Sequence, residues 1–424
     1  MDLLRLVAVA VLLALPTRGR CSGGDGGDDM HPIVLVPGYG SNRLDARLTA
    51  TYEPAAPLCG AREGEGWFEL WPNHAATRDP SQAPCLAEQM SLVYDAVADD
   101  YRNAAGVVTR VPSFASTRAL IGWDPLVRQL EAMGYRDGES LFAAPYDFRY
   151  AVAPHGHPSA EGARYFGRLA RLIEWASRRN EGRPAVVVAH SYGCALTYQF
   201  LLARPLAWRR RFVKHAVFLA AALGGFAEGM NMLSSGAGSG LPNVARPARA
   251  RLARSQQSAL WRLPTPMVFG DRPVVVTKNS TYSANNIVEF LDAIGFTEGV
   301  SPYVTRVLPM WQALPPPMVP VTSMYGVGVM TPETFVYGED GFEGTPEVVY
   351  GDGDGDMNMV SLVATEKEWS GVEGQILKVV RLPGVCHTGF FSDDLALKKV
   401  VAEIQEVAVS IELHQKRENL VLSE

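Results

Sequence analysis

Apolar runs of strand length alternate with amphipathic stretches along most of the chain. Residues 33–36 and 185–188 are uninterrupted apolar runs, and Leu126, Leu130 and Met133 recur at the spacing of one helix face. Strands that are apolar on both faces and separated by helices are typical of a parallel sheet covered by helices. The sequence therefore predicts an α/β fold with a mostly parallel central sheet. Further strands are predicted at 141–145, 216–222, 318–325, 348–350 and 376–382, and further helices at 165–180 and 393–413.

Changes in composition predict how the chain is organised. After residue 225 the sequence changes to Ser/Gly runs, a basic segment and a run of three prolines that ends at Pro317. We expect residues 226–317 to form a cap inserted into a core made of residues 30–225 and 318–424. Within the first part, residues of about 49–90 lack clear periodicity and are expected to form a lid.

The N-terminus has the pattern of a secretory signal peptide. A short start ending at Arg5 precedes the apolar run 6–15, which is followed by small and charged residues. A membrane-spanning helix needs about 20 apolar residues, so this run is too short to span a bilayer. We expect residues 1–22 to be a cleaved signal peptide, with an uncleaved anchor as the alternative, and the protein to be secreted or vacuolar. The sequon at Asn279 predicts a glycosylation site in that pathway.

The overall composition is that of a globular protein with no nucleic-acid partner. The chain has 424 residues, of which 47% are apolar, and a formal net charge of −6. Binding to nucleic acid needs a clustered basic surface that neutralises phosphates. The sequence contains no long basic run of that kind.

The five cysteines fit an oxidising compartment. Cys59 and Cys85 enclose the part of the chain that lacks periodicity, and a loop of that kind gains most from a covalent link. We therefore predict a Cys59–Cys85 disulfide. Cys194 and Cys386 are expected to be free, buried thiols.

The most informative motif follows the apolar run 185–188. The chain continues directly into His190-Ser191-Tyr192-Gly193, and the helical pattern begins at once. In the nucleophile elbow of the α/β-hydrolase fold, a serine lies on a tight strand-to-helix turn that requires small residues two positions before and two after it. Ala189 and Gly193 occupy those positions, so Ser191 is the predicted nucleophile.

A catalytic base is expected near the C-terminus, because this fold presents its triad in the order Ser, Asp, His. His387 follows a late strand and a Pro-Gly turn, which places it in a loop at a strand end. His31 and His414 are interpreted as surface residues. His155 and His157 are interpreted as a loop pair rather than a metal site, since no carboxylate or cysteine is near them in sequence.

The acid is expected in the segment Gly-Asp-Gly-Asp-Gly-Asp that follows the strand at 348–350, and Asp354 is the chosen residue. A calcium loop is the alternative, because Asp352, Asp354 and Asp356 alternate as in an EF-hand. An EF-hand requires glycine at its sixth position and glutamate at its twelfth, where this chain has Met357 and Val363. We therefore expect no metal and no cofactor.

Two backbone N–H groups are needed to stabilise the oxyanion of an acyl-transfer reaction. One is expected from Tyr192 and the other from the loop after the first strand, residues 36–42. Gly40 is the chosen residue in that loop, with Tyr39 as the alternative. A simple glycine turn would be the interpretation of this loop if the serine motif were absent.

Seven segments, in this order, resemble the lecithin-cholesterol acyltransferase family, to which a lysosomal phospholipase A2 and plant acyltransferase-like proteins also belong. The resemblance covers nearly the whole chain after the signal peptide, and the plant branch is the more similar one because a second disulfide has no evident counterpart. The segments are PIVLVPGYGSNRLDARL (32–48), FELW (68–71), RVPSF (110–114), APYDFR (144–149), AHSYGC (189–194), YGDGDGDMN (350–358) and LPGVCHTG (382–389).

The resemblance implies a triad of Ser191, Asp354 and His387, and oxyanion donors at Gly40 and Tyr192. It also implies that the Cys59–Cys85 disulfide holds a lid involved in binding lipid surfaces. Trp67, Phe68 and Trp71 lie in that lid, where they would contact lipid, although core positions are the alternative. In the PYDFR segment, Asp147 and Arg149 are expected to form a buried structural pair. One departure is Asp356-Met357, where the family usually has Thr-Val.

The function expected from these observations is the transfer of a fatty acyl group from a phospholipid to a sterol or another hydroxyl acceptor, through an acyl-Ser191 intermediate. A phospholipase would use the same residues with water as acceptor, because the two reactions differ only in what the pocket admits during deacylation. A lipid-binding protein that has kept the fold without activity is the alternative of another class. Peripheral contact with lipid surfaces is expected in each case.

Overall fold

A computed structural model of the chain describes residues 30–74, 76, 79–237 and 244–409; the predicted signal peptide and His414 lie outside these residues. The strands are β1 Ile33–Val36, β2 Leu44–Leu48, β3 Phe68–Trp71, β4 Leu92–Asp95, β5 Asp100–Asn103, β6 Val107–Arg110, β7 Leu141–Ala143, β8 Ala185–His190, β9 Val213–Leu219, β10 Val275–Val276, β11 Thr281–Tyr282, β12 Val321–Val327, β13 Val329–Val336, β14 Glu347–Gly353 and β15 Leu377–Pro383.

The α-helices of four or more residues are α1 Ala83–Met90, α2 Asp124–Ala132, α3 Ala160–Arg179, α4 Tyr192–Leu202, α5 Leu206–Phe212, α6 Glu228–Ser235, α7 Arg246–Ser255, α8 Gln257–Trp261, α9 Pro266–Phe269, α10 Ile287–Ala293, α11 Met359–Leu362, α12 Ala364–Trp369, α13 Gly389–Ser392 and α14 Asp394–Val409. Short 3₁₀ segments and a five-residue π-helical segment, Tyr303–Val307, connect some of them.

The central sheet has six strands in the order β15-β12-β9-β8-β1-β7, and every pair in it is parallel. β1 and β8 are fully buried apolar strands, with Ile33 opposite Val186 and Val36 opposite Ala189. Burial on both faces explains why both strands could be predicted as continuous apolar runs. Together with the strand-to-helix turn after β8, this sheet confirms the predicted α/β-hydrolase fold.

The strand predicted at 348–350 does not continue the central sheet. It is part of β14, which forms an antiparallel hairpin with β13 in a separate four-stranded sheet of order β11-β10-β13-β14. Most of its side chains are exposed, including Val349 and Tyr350. An edge strand with charged residues at both ends lacks the apolar surface that a central position requires, so the prediction was wrong in this respect.

The segment predicted as a cap, residues 226–317, lies between β9 and β12, which are neighbours in the central sheet. It contains α6 to α10 and the short strands β10 and β11. β10 pairs in parallel with β13, outside the segment, through Val275 opposite Phe335. The insertion is therefore joined to the second part of the core by backbone hydrogen bonds. The division into a cap and a two-part core stays a prediction.

The predicted disulfide is confirmed, since Cys59 and Cys85 are bonded. It joins the start of the lid to α1, and β3 of the lid pairs with β2 in an antiparallel sheet of order β3-β2-β6. Cys194 is free and buried as predicted, whereas Cys386 is free but exposed. Cys386 lies in the turn after β15, where its side chain has no core to enter.

The structure also shows the burial and the partners of single residues for which the sequence made a prediction. His31 was expected at the surface but is buried, and its Nδ1 lies 2.7 Å from the carbonyl oxygen of Pro184. Arg149 and Asp147 form the predicted buried ion pair at 2.6 Å. In the described part of the chain, no helix is long and apolar enough to cross a membrane.

Candidate active site

Ser191 lies in the turn between β8 and α4, with backbone angles φ 54° and ψ −125°. A positive φ is unfavourable for a serine, and it persists here because the strand and the helix fix the turn from both sides. The backbone N–H of Ser191 donates to the carbonyl oxygen of Leu219 on the neighbouring strand at 2.9 Å. Gly193 is required by close packing, since a Cβ there would lie 2.3 Å from the carbonyl oxygen of Pro37.

The three predicted triad residues are brought together in a continuous chain of hydrogen bonds. Ser191 Oγ lies 2.9 Å from His387 Nε2, and His387 Nδ1 lies 2.8 Å from Asp354 Oδ2. His387 follows β15 and Asp354 follows β14, and all three side chains are buried. These distances and this order are the geometry that an activated serine nucleophile requires.

The carboxylate of Asp354 is fixed by the segment that follows it. Its Oδ1 accepts hydrogen bonds from the backbone N–H groups of Asp356 at 3.1 Å and Met357 at 2.7 Å. The other oxygen is therefore directed at His387. Among the described residues, no group of three or more His, Cys, Asp or Glu side chains is placed so that it could hold a metal ion.

The electrostatic surroundings of His387 favour its charged form. Burial by itself lowers the pKa of His387, but the hydrogen bond and negative charge of Asp354 outweigh burial, and the charge of Asp356 adds to them, so that the pKa is raised overall. A raised pKa helps the imidazole to accept the proton of Ser191. Asp356, which departs from the usual family motif, therefore acts in the same direction as Asp354.

His190 supports the site in a way that the sequence pattern did not reveal. Its Nε2 lies 2.9 Å from the carbonyl oxygen of His387. Burial, followed by the charge of His387, lowers the pKa of His190 to about 3, so the ring is neutral and must carry its proton on Nε2 to donate to that carbonyl. The only signal in the sequence is its position next to the serine of the elbow.

The loop after β1 faces Ser191 from the other side. Gly38 approaches it closely, since a Cβ at Gly38 would lie 3.1 Å from the Cβ of Ser191. Tyr39 lines the cavity beside Ser191, whereas Gly40 does not. The carbonyl oxygen of Gly40 instead accepts a 2.7 Å hydrogen bond from the indole of Trp71. The second predicted donor, Tyr192, is the first residue of α4, where a backbone N–H has no acceptor within the helix.

A cavity of about 240 Å³ opens at Ser191. One side is formed by the loops that carry the triad, including Asp356, Met357 and Thr388, and the other by residues of the predicted cap. A larger cavity of about 620 Å³ lies in the lid beside the disulfide, but no triad residue lines it. The residues that the cap contributes to the cavity at Ser191 are Phe226, Glu228, Met232, Trp261 and Arg262.

Glu228 and Arg262 bring charge into this cavity and were not predicted from the sequence. Burial raises the pKa of Glu228 to about 7, the hydrogen bond from Asn231 opposes this, and the charge of Asp356 adds to it. The guanidinium carbon of Arg262 lies 3.9 Å from the centre of the Tyr39 ring. No motif marks either residue, because both reach the site only through the folding of the cap.

The aromatic residues of the lid have different surroundings. Trp67 is 37% exposed, and the guanidinium carbons of Arg47 and Arg110 lie 5.2 and 4.3 Å from the centre of its ring. Phe68 and Trp71 are partly buried. Trp71 contacts the loop after β1 through its hydrogen bond to the carbonyl oxygen of Gly40.

Two sites predicted outside the cavity are also described by the structure. Asn279 is exposed in the turn between β10 and β11, where a glycan would be accessible. Nδ1 of His157 lies 2.6 Å from Oδ2 of Asp99, whereas His155 is exposed. No carboxylate directly adjoins His157 in sequence, but the fold brings the carboxylate of Asp99 to it.

Comparisons with known proteins agree on one family. Residues 67–308 match the sequence profile described as "Lecithin:cholesterol acyltransferase". The chain is 84% identical to "Lecithin-cholesterol acyltransferase-like 1" of Oryza sativa subsp. japonica, over 98% of this chain and 95% of that protein. It is 39% identical to the protein of the same name from Arabidopsis thaliana, over 94% of each chain. It is also 33% identical to the "Lysosomal phospholipase A and acyltransferase" of Canis lupus familiaris, over 84% of this chain and 87% of that protein.

Proposed function

This chain belongs to the lecithin:cholesterol acyltransferase family, and we propose that it transfers a fatty acyl group from a phospholipid to a sterol or another hydroxyl acceptor through an acyl-Ser191 intermediate. Its family and its hydrolase fold support an enzyme of the esterase and acyltransferase type. The observation that carries the proposal is the hydrogen-bond chain from Ser191 through His387 to Asp354 at the base of a cavity.

In the first half of the reaction, His387 Nε2 accepts the proton of Ser191 while Oγ attacks the ester carbonyl of the phospholipid. The resulting oxyanion receives hydrogen bonds from the backbone N–H groups of Tyr192 and of Tyr39, which lines the cavity and is preferred here to Gly40. Collapse of the intermediate breaks the ester bond, and His387 returns the proton to the departing lysophospholipid oxygen. The acyl group is then esterified to Ser191.

In the second half, an acceptor hydroxyl loses its proton to His387 and attacks the acyl-Ser191 carbonyl. The same two N–H groups stabilise the oxyanion, and Ser191 leaves after regaining its proton from His387. The carboxylate of Asp354 holds the imidazole with its proton on Nδ1 through the 2.8 Å hydrogen bond. The acceptor alone decides whether the product is an ester of a lipid alcohol or a free fatty acid.

Water as acceptor is the second proposed function. It is favoured by the similarity to a relative named as both a phospholipase A and an acyltransferase, which is spread over 84% of this chain. Hydrolysis needs no change in the triad, because water and a sterol would attack the same acyl-serine. The proportion of the two products depends on what enters the cavity after the lysophospholipid leaves.

The test is to incubate purified protein with vesicles of phosphatidylcholine labelled in an acyl chain, with and without sterol, and to follow the label. Label in steryl ester supports the acyltransferase, and label only in free fatty acid supports the phospholipase. Ser191→Ala should reduce either product by several orders of magnitude. Equal product from Ser191→Ala and wild type would contradict serine dependence, and no product from wild type would favour a lipid-binding protein.

The setting proposed for this reaction is the surface of a lipid aggregate in the secretory pathway. The signal peptide at residues 1–22 and a glycan at Asn279 remain predictions that support this setting. The partly exposed Trp67, in the lid held by the Cys59–Cys85 disulfide, is the proposed contact with the lipid surface. Comparing vesicle co-sedimentation of Trp67→Ala and wild type would test that role.

A further inference from the structure

Arg262 is a cation in the active-site cavity without a carboxylate partner. Its guanidinium lies against the Tyr39 ring, and its Nε donates to the carbonyl oxygen of Ser258 at 3.2 Å. Its Nη2 is buried and has no hydrogen-bond partner, and within the described part of the chain the residue forms no ion pair. Because Arg262 lines the cavity at Ser191 and has no carboxylate beside it, an anionic group of a ligand in that cavity would be stabilised by its charge.

Two fully buried arginines of this chain, Arg149 and Arg306, are paired with carboxylates. Arg149 is paired with Asp147 at 2.6 Å, and Arg306 lies 3.2 Å from Asp99 and also 3.2 Å from Asp100. Both therefore have carboxylate acceptors supplied by the protein. Arg262 differs from both in that no carboxylate of the described residues pairs with it and that it lines the cavity at Ser191.

The acidic groups of the cavity do not neutralise Arg262. Glu228 and Asp356 line the same space, but neither lies within ion-pair distance of the guanidinium. The protonated state that burial favours for Glu228 further reduces its ability to act as a counterion. Stacking on Tyr39 and the bond to Ser258 hold the guanidinium in place, so that little ordering is needed when an anion binds.

The position of Arg262 relative to Ser191 suits one part of a phospholipid. In the proposed function, the backbone N–H of Tyr39 contacts the reacting ester carbonyl, and Arg262 lies on the ring of the same residue. The phosphate of a phospholipid is joined to its ester groups through the short glycerol backbone. A guanidinium presents paired N–H donors that match two oxygens of a phosphate diester.

We propose that Arg262 binds the phosphate of the donor phospholipid and thereby makes the enzyme prefer phospholipids to uncharged esters. This inference rests on the proposed function, because it assigns the donor to the cavity at Ser191. Arg262 is a binding and specificity-determining residue in this scheme and takes no part in proton transfer.

The first experiment compares two substrates in Arg262→Gln and wild type. For phosphatidylcholine vesicles, kcat/KM should fall about 10- to 100-fold, the usual range for losing a charge-assisted hydrogen bond. For p-nitrophenyl butyrate, which has no phosphate, kcat/KM should stay within about twofold, since Ser191 and His387 are untouched. Arg262→Lys should recover part of the phospholipid activity because the charge remains. Arg251→Gln, an exposed arginine of α7, is the matched control and should behave as wild type.

A second experiment needs no turnover of phospholipid. A short-chain diether phosphatidylcholine, which cannot be hydrolysed, should inhibit hydrolysis of p-nitrophenyl butyrate in wild type, with an inhibition constant at least about tenfold higher in Arg262→Gln. The corresponding uncharged dialkylglycerol should inhibit both proteins equally. If wild type fails to cleave phosphatidylcholine but this difference is observed, the proposed function fails and the assignment of Arg262 stands.

Two results would overturn the assignment of Arg262. An equal loss on both substrates would mean that Arg262 only supports the loop at Tyr39. Equal inhibition constants for the diether phospholipid in wild type and Arg262→Gln would mean that the phosphate binds elsewhere or not at all.

Discussion

Replacing Asp354 by asparagine is the sharpest test of the proposed triad, because the structure determines how the new side chain would be oriented. The Oδ1 position receives two backbone N–H groups, from Asp356 and Met357, so the amide oxygen of asparagine must occupy it. The amide NH₂ then faces His387 Nδ1, which becomes an acceptor. His387 is forced to carry its proton on Nε2 and can no longer accept the proton of Ser191.

The expected magnitude follows from the inverted tautomer. Loss of the orienting carboxylate in a Ser-His-Asp triad lowers kcat by about 10⁴, so Asp354→Asn should lower ester cleavage by about 10³- to 10⁴-fold, or about 4–5.5 kcal/mol of activation free energy. The hydrogen bond and charge of Asp354 are also the main causes that raise the pKa of His387. The acid limb of the residual pH–rate profile should therefore move to lower pH.

The assay is the rate of p-nitrophenyl butyrate hydrolysis across a pH series, with thermal unfolding as the check on folding. Asp352→Asn is the matched control. The carboxylate of Asp352 accepts from the backbone N–H of Gly328 at 2.7 Å and does not contact His387. Activity of Asp354→Asn within tenfold of wild type, together with a large loss in Asp352→Asn, would refute the assignment of the acid.

Three further predictions concern stability and the elbow. Burial raises the pKa of Glu228 from its ordinary value of 4.5 to about 7, so the folded chain holds this proton more tightly than the unfolded chain does. The free energy of unfolding therefore falls as pH rises between those values. In urea unfolding, the free energy of unfolding of Glu228→Gln should exceed that of wild type by at most about 3 kcal/mol at pH 8 and match it at pH 4. The Cys59→Ala/Cys85→Ala double variant should lose about 3.5 kcal/mol of unfolding free energy in the same assay, because the disulfide joins residues separated by 26 positions. An unchanged urea midpoint of unfolding would contradict this. Gly193→Ala should lose esterase activity and about 1–3 kcal/mol of stability, because its Cβ would meet the carbonyl oxygen of Pro37; wild-type activity would show that the turn can relax.

The central strands could be predicted because their burial on both faces leaves an unambiguous apolar run. Residues 33–36 coincide with β1, and the run at 185–188 lies within β8. The strands of the smaller sheets carry alternating or exposed side chains, as in β14, and their partners are set by the surrounding chain. Periodicity alone therefore located the segment at 348–350 but assigned it to the wrong sheet.

The site shows the same division between local and distant determinants. The position of Ser191 in a strand-to-helix turn could be predicted because the steric requirements of that turn are local and are met by Ala189 and Gly193. The choice between Gly40 and Tyr39 depends on which backbone group faces the cavity, and composition carries no information about that. Arg262 could not be predicted, because its role arises from the approach of the cap to the loop after β1.

Burial of single polar residues was the least predictable property. The sequence predicts His31 at the surface, yet the residue before β8 brings its carbonyl oxygen, that of Pro184, to 2.7 Å from His31 Nδ1. Cys386 was placed in the interior because it adjoins His387, whereas the turn after β15 directs its side chain outward. Both outcomes depend on tertiary contacts that are distant in sequence.

The hydrogen bond between Trp71 and Gly40 makes the lid and the loop beside Ser191 thermodynamically interdependent. Trp71 belongs to β3 of the lid, and the carbonyl that it contacts adjoins Tyr39. The coupling free energy that this hydrogen bond supplies is the same in both directions, so a ligand that favours this position of Trp71 also favours the present conformation of the loop, and the reverse holds. If the lid contacts a lipid surface as proposed, adsorption to that surface and binding of the reacting carbonyl beside Tyr39 are coupled through the hydrogen bond between Trp71 and Gly40.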